Sequence, residues 1–192
     1  MKKQTAQFIR IITVPPILAT AMLLLFCHFF GKDFATSPEL WMAVICLALV
    51  PSLAYPVSFF VKKGSEALRK RQRTFAFLLN LVGYLAAVFC CYLMNCSRMM
   101  KWIVTAYFLA VLLLTMLNKG CKIKASGHAC SCVMPYLFLS YFLGFPTAII
   151  CVGLYLVEFW ASVILKRHTI REFLIGSLTA VLVFTVTFFI FQ

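Results

Sequence analysis

Two histidines carry the chemistry that this sequence offers. His128 follows Ser126 and Gly127 at the start of an apolar run, in the stretch NKGCKIKASGHACSC that begins at Asn118. His168 comes forty residues later, in the basic break KRHTIRE of residues 166–172. The start of a helix presents unpaired backbone N–H groups and a partial positive charge, a seat suited to an anion. Ser126 can cap such a helix, and Gly127 lets backbone approach a ligand. Lys124 stands two residues before Ser126. Glu172 follows His168 at i+4, on the same helical face, where a carboxylate can hold an imidazole in one tautomer. An imidazole held in this way is a nucleophile, and a second one beside a phosphate is a general acid. Cations and helix N-termini hold the equatorial oxygens of a transferring phosphoryl group. This chemistry requires that the two histidines meet.

The elements that must bring them together are membrane spans. The chain has 192 residues, of which 64% are hydrophobic and only 12% charged, too few to cover the surface of a soluble domain. A spanning helix needs about 20 apolar residues to cross about 30 Å of hydrocarbon. The expected fold is therefore all-α: a polytopic transmembrane helix bundle of six or seven spans, forming one membrane domain over residues 1–192. Span one covers residues 11–30, too long for the apolar core of a secretory signal. Spans two to four cover 39–60, 74–95 and 102–117. Spans five to seven cover 126–143, 147–165 and 172–191. Residues 1–10 read as a polar, basic lead-in, and Pro51 and Pro56 as kinks.

Loop charge fixes a side. With the N-terminus in the cytoplasm, fifteen of the 18 Lys and Arg fall on the inner segments and three, Lys32, Arg98 and Lys101, on the outer turns. The loops at 61–73, 118–128 and 166–171 then share one face, and so do His128 and His168. A net charge of +13 reads as this topology signal plus attraction to anionic headgroups, not as nucleic-acid binding.

At these residues the C-terminal part, residues 118–191, resembles the type-2 phosphatidic acid phosphatase superfamily, membrane relatives of the vanadium haloperoxidases, and within it a compact multi-pass subgroup. The family's PSGH block corresponds to KASGHA, residues 124–129. Its SRxxxxxHxxxD block corresponds to ASVILKRHTIRE, residues 161–172, after a two-helix gap. The resemblance implies a metal-independent lipid phosphatase that needs no cofactor. His168 would form a phosphohistidine, His128 would protonate the leaving alcohol, and Glu172 would orient His168. Ser126, Gly127 and Lys124 would bind phosphate. The substrate would be a phosphorylated lipid such as phosphatidate, phosphatidylglycerophosphate or a polyprenyl phosphate, met at a multi-pass site in the cell membrane.

The chain departs from the family at Glu172, where the family has Asp, and at Ser162, where it has a phosphate-gripping Arg. Arg167 and Arg171, with Lys166, are the candidates to replace that fork, although neither Lys nor Ser reproduces a bidentate guanidinium. No KxxxxxxRP block occurs, and Arg73, or Lys70 and Arg71, at the mouth of span three is its substitute. Ser162 also motivates a second reading, a catalytically degenerate member that binds lipid or a partner; a small transporter is a third. No metal is expected, because Cys130 and Cys132 are two residues apart in a helix and face away from each other. Glu158, within span six, is either functional or paired with a basic loop residue.

Overall fold

Helix is the only regular structure among the described residues. In the computed structural model these are 2–54 and 66–192 for the backbone, with the side chains of 66–73 excepted. Pro56 and the loop 61–65 therefore lie outside the described residues. Helix α1 (Lys2–Ile12) and α2 (Pro15–Phe30) are separate, so the expected first span is broken and the basic lead-in is itself helical. The reason is local. Pro15 and Pro16 lack the N–H groups that would continue the ladder, and their rings suit the first turn of a new helix instead. On α1, Ala6 is buried while Phe8, Ile11 and Ile12 are exposed.

A capping box of Thr36 and Glu39 starts α3 (Ser37–Val44), which continues through a π segment (Ile45–Leu49) to a last turn at Val50–Ser52. Pro51 sits just past the π segment, where the ladder has already been loosened. Helix α4 (Glu66–Leu93) is followed by α5 (Arg98–Thr115), which ends in a second π segment at Met116–Gly120. Ser97 starts α5 by accepting from Met100 N at 3.1 Å, and its hydroxyl donates to Phe34 O at 2.6 Å, pinning this turn to the one before α3. Helices α6 (Gly127–Leu143) and α7 (Phe145–Ile164) form a hairpin about Gly144, whose φ of 83° is open to glycine at little steric cost. Helix α8 (Ile170–Phe191) closes the chain.

Among the described residues, five helical segments are long and apolar enough to cross a membrane: Pro15–Asp33, Thr74–Leu93, Arg98–Gly120, Phe145–Ile164 and Ile170–Phe191. Two more, Ser37–Ser52 and Gly127–Leu143, are apolar but shorter. The two short segments answer to the expected spans two and five.

Helix α6 is central, packing on α2, α5, α7 and α8. It lies parallel to α8. Near their C-terminal ends Phe138 and Phe184 meet with ring centroids 5.1 Å apart, and near their N-terminal ends Ser126 N donates to Glu172 O at 2.9 Å. Two helices that are parallel and joined by one intervening helix must start on the same side, and that carries the site.

Candidate functional site

The basic loop before α6 is organised by one side chain. Asn118 donates from Nδ2 to Leu114 O and Ala125 O, and its Oδ1 accepts from Ala125 N at 3.2 Å. The amide thus bridges the loop's two ends, while Lys119, Lys122 and Lys124 stay exposed. Lys122 takes a positive φ of 56° within it.

Ser126 is almost fully buried, at 1% exposure. Its Oγ accepts from Ala129 N at 3.2 Å, the N-cap geometry, so its hydroxyl oxygen is already engaged in starting α6. Gly127 does not owe its identity to the site: a Cβ there would meet only the Phe77 ring at an ordinary 3.7 Å. It instead borders a cavity of about 20 Å³ between α4, α5 and α6, room for one water, beside the buried hydroxyl of Tyr107. The N–H groups of Gly127 and His128 form no hydrogen bond among the described residues, as expected of a first helical turn.

The second loop comes up against the first. Gly176 on α8 faces the Ser126 backbone so closely that a Cβ would collide with Ser126 O. A small residue here lets the helix start touch the loop directly. Thr169 and Glu172 form a reciprocal capping box: Thr169 N donates to Glu172 Oε2 at 3.1 Å, and Glu172 N donates to Thr169 Oγ1 at 3.2 Å. The same Oε2 lies 3.6 Å from His168 Nδ1. Glu172 is thus shared between capping α8 and facing the imidazole. An open cleft of about 420 Å³ is bordered by Lys166, Arg167, His168, Thr169 and Glu172. Arg167 and Arg171 are exposed on its side of the molecule. The side chain of Arg73 lies outside the described residues.

His128 is half-buried in the first turn of α6. Its charge is coupled to those of His168 and Arg10. Below it, at i+4 and i+8, come Cys132 and Tyr136, and both are buried. Cys132 Sγ lies 3.8 Å from His128 Nε2 and 3.5 Å from the carbonyl of Thr13, the residue at the α1–α2 break. Tyr136 Oη donates to Glu158 Oε1 at 2.7 Å. Glu158 is 2% exposed and its Oε2 has no hydrogen-bond partner among the described residues. No described basic side chain lies within ion-pair distance of it. Ser162, one turn further along α7, is also buried.

The line His128, Cys132, Tyr136 was legible as a helical period. The partners it meets, Thr13 at the α1–α2 break and Glu158 from α7, were not, because no local pattern says which helix lies opposite. Among the described residues no three His, Cys, Asp or Glu side chains gather as a metal-ligand set. No family model matches this chain, no curated protein matches its sequence, and no solved structure matches its fold.

Proposed function

We propose that the protein is a multi-pass membrane phosphatase that hydrolyses a phosphorylated lipid through a phosphohistidine. The observation that carries this reading is the pair of parallel helices α6 and α8, whose starts are tied by the Ser126–Glu172 backbone bond and bear one histidine each. Two helix N-termini side by side give converging N–H groups and dipoles, the setting a tetrahedral anion needs.

His168 presents Nδ1 to Glu172, and a proton held there leaves the Nε2 lone pair for attack on phosphorus. As the N–P bond forms, the bond from phosphorus to the lipid oxygen breaks, and that oxygen takes a proton from His128. Water then attacks the phosphohistidine, with His128 taking its proton, and inorganic phosphate departs with His168 restored. Lys124, Arg167 and Arg171, exposed around this end, would offset the charge of the headgroup, and the N–H groups of Gly127 and His128 would reach its oxygens. In this reading the short helices at 37–52 and 127–143 also cross, giving six or seven spans around a core like that of the type-2 phosphatidic acid phosphatases. Loop charge then puts the site on the cytoplasmic side.

The test is phosphate release from phosphatidate, phosphatidylglycerophosphate and polyprenyl phosphate by purified protein in detergent, with and without chelator. Release that survives chelation and disappears in His168→Ala supports the reading. Absence of release from every substrate by the parent protein sinks it. One observation favours the degenerate alternative: Ser162 is buried and cannot grip phosphate as a guanidinium would. Binding of lipid phosphate without turnover would establish that version.

A further inference from the structure

We propose that Arg10 is a phosphate-binding residue at the His128–His168 end, supplying from α1 the guanidinium that position 162 lacks. The identity of its ligand rests on the phosphatase reading; its placement does not. Arg10, Ala6 and Thr13 recur at helical spacing along α1, and this is the face that packs on α7, with Ala6 and Thr13 buried. Thr13 is anchored against α6 by the 3.5 Å contact of its carbonyl with Cys132 Sγ. Starting from that contact, one turn back along α6 is His128 and one turn back along α1 is Arg10. Helix α2 runs in the direction of α6: Thr13 meets Cys132 at one end and Phe26 meets Phe142 at the other. The charge of Arg10 accordingly reaches both Cys132 and His128. Nη1 of Arg10 is buried, whereas Lys124, Arg167 and Arg171 are exposed.

The physical consequence is a division of labour among the cations. Those on the loops are solvated and screened and act as a diffuse attraction. A guanidinium with a buried nitrogen has fewer waters to lose and can hold two phosphate oxygens at once. Ser162 lies one turn past Glu158 on α7, the helix that α1 covers.

The experiment compares Arg10→Lys and Arg10→Gln with the parent protein, all in full-length form, using lipid-phosphate hydrolysis and orthophosphate binding. Arg10→Met replaces the Gln variant if the latter does not retain the parent's helical signal. If the parent hydrolyses a lipid phosphate, Arg10→Gln is expected to lose about 100-fold in kcat/KM, and Arg10→Lys to keep at least a tenth of the parent value. A Gln variant within twofold of the parent, or a Lys variant no better than Gln, overturns the assignment. If the parent hydrolyses nothing, the phosphatase reading fails by that result alone, and orthophosphate binding decides for Arg10. Binding kept by Lys and lost by Gln supports it; no binding by the parent, or equal binding by all three, overturns it.

Discussion

The two ends of the α5–α6–α8 group are built on opposite rules. At one end Trp102 is surrounded by Phe138, Tyr141, Phe142, Phe184 and Phe188, with ring centroids 5.1 to 5.9 Å away, and its Nε1 donates to Thr187 Oγ1 at 2.9 Å. At the other end the same helices meet through backbone: Gly176 against Ser126, and Ser126 N on Glu172 O. Aromatic rings hold helix axes apart and fill the gap with dispersion contacts. Small residues let axes close and bring the two capped helix starts together. The difference separates a packed end from a polar one. The aromatic end fixes the parallel alignment of α6 and α8, and the polar end uses that alignment to point two helix N-termini at one place.

The comparison can be broken in stages. The largest effect is expected at the polar end: His168→Ala should reduce phosphate release by about 10³-fold or more, while the unfolding midpoint stays near that of the parent. A variant that releases phosphate as the parent does would detach the histidine from any chemistry. At the aromatic end, Trp102→Ala should destabilise by about 3 to 5 kcal/mol through the cavity left among five rings, read as the shift in thermal unfolding in detergent. A shift no larger than that of a lipid-facing control such as Leu178→Ala would show that the aromatic cluster is not what aligns the helices. Leu178 is 64% exposed and suits that control.

Gly176→Ala sharpens the contrast. The added methyl must displace the Ser126 backbone, an overpacking cost of about 1 to 3 kcal/mol, and activity should fall more than stability does, because the loop that moves carries His128. Glu172→Gln gives the smallest effect. Gln serves a capping box as Glu does, so stability should hold within about 0.5 kcal/mol. The charge facing His168 is lost, and turnover should fall about tenfold through kcat. Equal losses in stability and turnover would mean that Glu172 only caps α8.

Much of this organisation was readable along the chain because it is local. The hairpin about Gly144, the cap at Ser126 and the pairing of His168 with Glu172 all follow from neighbours within four residues. The start of the chain was misread for an equally local reason. An apolar count over residues 11–30 outweighed Pro15 and Pro16, yet two missing N–H groups in succession end one helix and start another. Glu158 was visible as a carboxylate out of place, but its Tyr136 partner, 22 residues away on the facing helix of the hairpin, was not.

The sequence by itself determined that this chain is a stack of apolar helices with His128 and His168 at two of its basic breaks, since hydropathy and capping are properties of short segments. Only the tertiary structure decided that α6 and α8 run in parallel and in contact, that Gly176 lies against the Ser126 backbone, and that Thr13 stands beside Cys132. Which helix faces which is set by how side chains of particular size fit across interfaces, and that fit is a property of pairs of surfaces far apart along the chain.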